Sequence, residues 1–350
     1  MSKTFIIYGA NGYTGELIAR EAVARGQRPI LAGRNAAAVE HLAAALRLEA
    51  RLFALDDLRA LDAALAGVSA VLHCAGPFSR TSKPMADACL RAHAHYLDIT
   101  GEVSVFEALA ARDAEARRAG VLLLPGVGFD VVPTDCLAAH LKARLPTATR
   151  LVLAFKALGR ASRGTSTTIV ENLHRGGLIR RGGVLTPVPA AYKTRSFDFG
   201  RGPRPAVCLP WGDVSTAYHS TGIPDIEVYM AAPFALRAGL RLTRVLGPLL
   251  RSTSVRDFLT RRIEAGPPGP GADERARGTS IVVGEVEDEH GARAAARLRG
   301  PEGYAFTVLT ALRAVERVLA QAPRAGFATP SRAFGADFVL EIPGVVREDL

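Results

Sequence analysis

The chain has 350 residues, 48% of them hydrophobic, and a formal net charge of +10. That length allows two domains and a large core. No run of about 18 uncharged apolar residues occurs, so no membrane-spanning helix is expected, and the short opening stretch is not expected to act as a secretory leader. The charge is unevenly placed: residues 136–256 carry +13, while residues 1–135 carry −1 and residues 257–350 carry −2. A basic middle region fits an acidic substrate, an anionic membrane surface or nucleic acid, or else a solvated arginine-rich surface. Cys74, Cys89, Cys136 and Cys208 are scattered without ligand spacing, as expected of reduced thiols in a cytoplasmic protein.

The apolar run Thr4–Tyr8 predicts a first strand, and Leu17, Ile18, Ala22 and Val23 predict the helix that follows. Between them lies Gly9-Ala10-Asn11-Gly12-Tyr13-Thr14-Gly15. Strand, glycine turn and helix form the context of a dinucleotide-binding turn, here with the spacing G-x-x-G-x-x-G. Gly9 permits the tight turn, Gly12 lets backbone approach a pyrophosphate, and Gly15 lets helix lie close to strand. Free N–H groups at the helix start then face the phosphates.

Further strands are expected at Pro29–Ala32, Ala50–Leu55, Ala70–Cys74, Tyr96–Ile99 and Val121–Leu124, with alanine-rich helices such as Ala36–Leu46 and Val103–Arg118 between them. This alternation predicts an α/β domain with a doubly wound parallel sheet of the Rossmann type. A cofactor then lies along the carboxyl ends of the strands. Arg34 ends the second strand, where an acidic residue would hold the ribose of NAD; a guanidinium there suits the extra phosphate of NADP. Asp56 is placed to accept from the adenine amino group. Ala75, Gly76 and Pro77 fall on the nicotinamide side. Asp130, near the start of a helix running to Lys142, is either a helix cap or a group beside the nicotinamide.

The turn Gly9–Gly15, Ala32-Gly33-Arg34, Ala75-Gly76-Pro77-Phe78 and Gly128-Phe129-Asp130-Val131-Val132-Pro133-Thr134-Asp135 together resemble the saccharopine dehydrogenase-like oxidoreductases. They are most similar to the shorter bacterial members, which include trans-acting enoyl reductases of lipid biosynthesis. The resemblance covers about the first 140 residues and returns at Gly326-Phe327-Ala328-Thr329-Pro330 and Phe334-Gly335. It implies an NADP-binding domain, a second mixed α/β domain and hydride transfer to an enoyl, imine or keto group.

On this reading residues 1–145 form the NADP-binding domain, residues 146–325 an α+β domain for substrate and dimerisation, and residues 326–350 a segment returning to the first. In the second domain, Thr149–Phe155 reads as a strand and Ser166–Leu173 as a helix start. Ile281–Val286 and Ala292–Leu298 read as a hairpin about His290-Gly291, and Phe306–Leu319 as an amphipathic helix. Residues 228–256 contain no acidic residue, and mix Phe234, Leu236, Leu240 and Leu242 with Arg237, Arg241 and Arg244. Such a helix either lies on an anionic bilayer or packs its leucines inward.

Hydride transfer also needs a proton donor. None of the seven tyrosines is followed by lysine four residues on, so the Tyr-x-x-x-Lys pair of short-chain reductases is absent. Asp130, Lys156 and His174 are the candidate catalytic residues. Lys156 and His174, in the basic region, suit an anionic substrate. Metal ligation is not expected. The expected partners are an acidic small-molecule or lipid-like substrate, an anionic membrane surface at the inner face of the plasma membrane, and a second copy of the chain. Nucleic acid is not among them, because the arginines are not interleaved with aromatics. The rival classes are a non-catalytic NADP-binding protein and a membrane-associated accessory protein.

Overall fold

Phe5–Tyr8 (β1) is apolar on both faces, as a strand covered on both sides must be, and all four residues are buried. A computed structural model of the chain describes residues 4–157, 160–172, 176–250, 252–321 and 323–350. From β1 the chain alternates: Tyr13–Ala24 (α1), Ile30–Gly33 (β2), Ala36–Leu46 (α2), Ala50–Leu52 (β3), Leu58–Leu65 (α3), Ala70–His73 (β4), Phe78–Ala92 (α4) and His95–Asp98 (β5). Val103–Ala110 (α5), Asp113–Ala119 (α6) and Leu122–Leu124 (β6) follow. The strands pair in parallel in the order β3-β2-β1-β4-β5-β6, the doubly wound order expected from the sequence. A seventh strand, Gly326–Phe327 (β15), adds to the edge at β6.

The expected helix Val103–Arg118 is two helices. Asp113 begins the second; its carboxylate accepts the Phe327 amide at 2.8 Å and pairs with Arg117 at 2.7 Å. A long-range bond to the returning strand therefore sets the break.

The chain divides into two compact units, Met1–Val132 with Tyr304–Gly335, and Pro133–Gly303 with Ala336–Leu350. These limits differ from the expected 145 and 325 for identifiable reasons. Val132–Arg144 (α7) sets Leu137 and Leu141 onto the second unit's sheet at Gly284, where a Cβ would lie 2.6 Å from Leu141. Gly303–Ala320 (α13) instead serves the first unit: Phe306 meets Phe129 ring to edge, and Thr307 Oγ1 accepts the Phe129 amide. Of the tail, only Gly326–Gly335 joins the first unit, because Val346–Asp349 (β16) pairs with the second unit's Arg293–Pro301 (β14).

The second unit is a mixed sheet. Arg150–Ala157 (β7) lies parallel to Asp225–Ala231 (β12) and antiparallel to Thr279–Glu287 (β13), which turns into β14 as the expected hairpin. Thr194–Asp198 (β10) and Pro203–Cys208 (β11) extend it beyond β12. Gly177–Arg181 (β8) and Val184–Val188 (β9) are joined by Gly182 and Gly183, whose φ values of 55° and 80° suit a two-residue hairpin turn. Helices Arg163–Asn172 (α8), Asp213–Thr221 (α9), Phe234–Leu250 (α10), Thr253–Glu264 (α11) and Ala272–Arg277 (α12) complete it, and Pro330–Phe334 (α14) closes the first unit. No helix is long and apolar enough to cross a membrane, among the described residues.

In the first unit the buried carboxylate of Asp98 joins strand ends. Its Oδ1 accepts the amides of Thr100 at 3.0 Å and Gly126 at 2.9 Å, and its Oδ2 accepts the Tyr96 hydroxyl at 2.7 Å. Burial pushes its carboxyl up to about 6, the three donors offsetting part of that rise. The folded chain therefore holds this proton more tightly than the unfolded one, and the Asp98 contribution to stability falls as pH rises from about 4 to about 6. Asp98→Ala, which strands three donors, should cost about 3 kcal/mol or more in urea unfolding. Asp98→Asn should cost less and reduce the loss of stability between pH 4 and 6.

Candidate dinucleotide site

Gly9 follows β1 with φ of 80°, the left-handed region that glycine alone enters freely. Its amide donates to the Ala32 carbonyl at 2.8 Å, so the turn is tied to the end of β2. The space around it is closed: a Cβ on Gly9 would lie 2.8 Å from Ala75, just past β4, and one on Gly15 would lie 2.3 Å from the Gly9 carbonyl. Gly12 differs. Its backbone is extended at the N-terminus of α1, it has no side chain to cap that helix, and a Cβ there would meet only the Gly9 carbonyl, at 3.2 Å. Gly9 and Gly15 thus serve the close approach of strand and helix, whereas the space over Gly12 is open toward a ligand.

Neighbouring helices show what α1 lacks. Asn35 caps α2 through the Ala38 amide, and Asp57 caps α3 through the Ala60 amide. Glu102 accepts the Phe78 and Ser79 amides at 2.7 and 3.1 Å at the start of α4. An uncapped helix start after a glycine turn fits a pyrophosphate, whose oxygens accept backbone N–H groups at the positive end of the helix dipole.

The remaining expected cofactor residues gather around this turn. Ala10 is buried, Asn11 is exposed and sets its Oδ1 3.2 Å from where a Cβ on Gly33 would lie, and Tyr13 and Thr14 begin α1 half-buried. Arg34, one residue beyond β2, is exposed. Asp56, beyond β3, is exposed as well, and both charges act on the Tyr8 hydroxyl, whose acidity is weakened chiefly by burial. Arg34 and Asp56 therefore flank one corner of the sheet.

Ala75, Gly76 and Pro77 form the turn after β4, and a polar relay holds it. Thr81 Oγ1 donates to the Ala75 carbonyl at 2.7 Å and accepts from His73 Nε2 at 2.9 Å. His73 is fully buried among Tyr8, Phe78 and Tyr96, which depresses its pKa to about 3 and keeps the ring neutral. Asp130 stands beside the next strand end. Its Oδ2 would lie 2.9 Å from a Cβ on Gly101, so glycine at 101 makes room for the carboxylate. Burial pushes the Asp130 carboxyl up to about 6.

Lys156 lies in the second unit, half-buried in β7 beside Ile281 of β13. Asp130 belongs to the first unit. His174 lies outside the described residues. Sequence reading missed Tyr304, whose ring stands edge-on to Tyr13 at 5.1 Å, and the anchoring pair His73 and Thr81. No local pattern marks Tyr304, because its partner lies at the far end of the chain. His73 was visible only as an ordinary strand residue. Among the described residues no group of His, Cys, Asp and Glu is arranged to hold a metal.

A parallel sheet in this strand order, a glycine turn after its central strand and an uncapped helix start define a dinucleotide-binding domain of the Rossmann type. Residues 5–124 match the family model of the saccharopine dehydrogenase NADP-binding domain, a match that supports NADP as the cofactor. A probable mitochondrial saccharopine dehydrogenase-like oxidoreductase of Arabidopsis thaliana is 32% identical over 37% of this chain and 32% of its own length. A trans-acting enoyl reductase of Mycobacterium leprae is 28% identical over 40% of this chain and 35% of its own. The matched stretch spans about a third of these relatives' length. In fold, the chain is similar to an apo saccharopine dehydrogenase (L-Glu forming) of Saccharomyces cerevisiae, with a TM-score of 0.64 over 100% of both chains at 13% identity.

The two glycines should separate in experiment. Gly12→Val should leave the circular dichroism spectrum unchanged and weaken NADPH binding at least a hundredfold by calorimetry. Gly15→Val puts carbon against backbone and should prevent the first unit from folding.

Proposed function

We propose that the protein is an NADPH-dependent reductase that delivers hydride to an enoyl, imine or keto group of an acidic or lipid-like substrate. The observation that carries this reading is the uncapped glycine turn at the head of α1 with a guanidinium one residue past β2. Tyr13 and Thr14 would offer backbone amides to the pyrophosphate over Gly12, whose own amide closes the turn on the Gly9 carbonyl at 3.0 Å; Arg34 would grip the 2′-phosphate, and Asp56 would receive the adenine amino group. The turn Ala75-Gly76-Pro77 would border the nicotinamide. NADPH supplies the hydride when bound.

The chain's own part is binding, orientation and proton supply. Asp130 is the best-supported proton-bearing group of the first unit: burial raises its carboxyl to about 6, and it sits past the strands whose ends border the nicotinamide in this fold. Its acid form exists below that pH, so it serves as donor there. Lys156, half-buried in β7 of the second unit, suits the acidic part of a substrate. The enoyl choice draws on the names of the mycobacterial relatives, together with the surplus of positive charge in residues 136–256.

Two measurements test this reading. Arg34→Asp should weaken NADPH binding about a hundredfold while NADH binding changes little, as loss of a charge-assisted bidentate contact requires; equal weakening of both would remove the phosphate contact. With an enoyl thioester as acceptor, NADPH oxidation should decline as pH rises through about 6. Asp130→Asn should lower kcat about a hundredfold and abolish that decline. An unchanged profile in the variant would assign the proton to another group.

A further inference from the structure

Part of the basic middle of the chain lies on a helix that carries no acidic residue. Between residues 228 and 256 there are five arginines and no acidic side chain. Helix α10 is seated on the second unit by Leu240, which packs on a small apolar cluster of Ala191, Val207 and Ala232. Arg241, seven residues from Phe234, reaches from the other side of the helix to donate to Thr194 Oγ1 at 3.2 Å. Among the described residues, the side opposite Leu240 presents exposed apolar side chains. Phe234, Ala238 and Leu242 recur every fourth residue, which puts them on one stripe, and all three are exposed, Phe234 at 75% and Leu242 at 55%. Leu236 is exposed as well, on another side of the helix. The Arg237 guanidinium lies 5.9 Å over the Phe234 ring. Helix α11, which packs against α10, repeats the arrangement: Phe258 is 55% exposed with Arg262 5.8 Å over its ring.

We infer that α10 is a membrane-surface helix, which docks the second unit on a bilayer rich in anionic phospholipid. Exposed phenylalanine and leucine on a helix that bears only positive charge match the interfacial boundary, where apolar side chains enter the acyl region and guanidinium groups meet phosphates. A second copy is the poorer occupant. A symmetric pairing of α10 sets the same patch against itself, which brings Arg237 and Arg241 toward their own counterparts with no acidic residue on α10 to offset them. The inference concerns the second unit alone and stands or falls separately from the hydride chemistry.

The test is co-sedimentation of the full chain with vesicles of phosphatidylcholine, alone or mixed with phosphatidylglycerol, and NADPH binding reports that each variant is folded. The unaltered protein should sediment with the mixed vesicles and not with phosphatidylcholine alone, and added salt should release it. Phe234→Ser with Leu242→Ser should weaken vesicle binding about a hundredfold. Arg237→Gln, Arg241→Gln and Arg244→Gln together should weaken it about as much and remove most of the salt dependence. Both variants should bind NADPH as before. Absence of binding to mixed vesicles, or binding indifferent to the serine pair, overturns the inference. So does a dimer in size-exclusion chromatography that the serine pair splits, since the face then joins two copies.

Discussion

The first unit depends on one close approach of backbone to backbone. A Cβ on Gly15 would stand 2.3 Å from the Gly9 carbonyl, nearer than atoms can be, so α1 lies against the end of β1 only because no side chain intervenes. The same contact fixes the direction in which α1 sets out and hence where its first amides point. The Gly9 amide, bonded to Ala32, then binds the turn to the strand that delivers Arg34. Strand–helix packing and the direction of the first α1 amides are thus two results of one steric fact.

Around this turn the carboxyl ends of the strands are connected by buried polar groups. His73 and Thr81 fix the Ala75 carbonyl after β4, Glu102 caps α4 from the segment after β5, and Asp98 gathers the amides of Thr100 and Gly126. Each group has a defined partner, which makes the rim rigid at the points where a cofactor needs fixed backbone. Neutrality of His73 is part of that rigidity, since a proton on its second nitrogen would face aromatic rings.

Much of this was legible in the residues, for a physical reason. Strands β1 and β6 are buried on both faces and appear as unbroken apolar runs, and α2 begins one residue after its Asn35 cap. The glycine turn can be read because a steric demand on backbone is met by one residue type. What escaped is what depends on remote partners. The interruption between α5 and α6 follows from the bond between Asp113 and Phe327. Leu137 and Leu141 announce a packed helix face but not which sheet receives it. Asp130 illustrates the limit in the candidate site: its position near a helix start is legible in the sequence, but its closeness to Gly101 and its raised pKa emerge only when β5 and the segment before α7 are brought side by side.

The first unit is discontinuous, with nearly the whole second unit interposed between Val132 and Tyr304. During synthesis the nascent chain therefore presents β6 as an open edge until Gly326 and Phe327 emerge, and the groove for α13 stays wet until then. A ribosome that has finished the nucleotide-binding sequence has not yet supplied its last strand. The second unit can form its central strands first, and the first unit is completed only once residues 304–335 have been made. Sequences truncated after the apparent end of the Rossmann segment would lack α13 and β15, and would expose apolar surface that the native chain covers with residues from its far end.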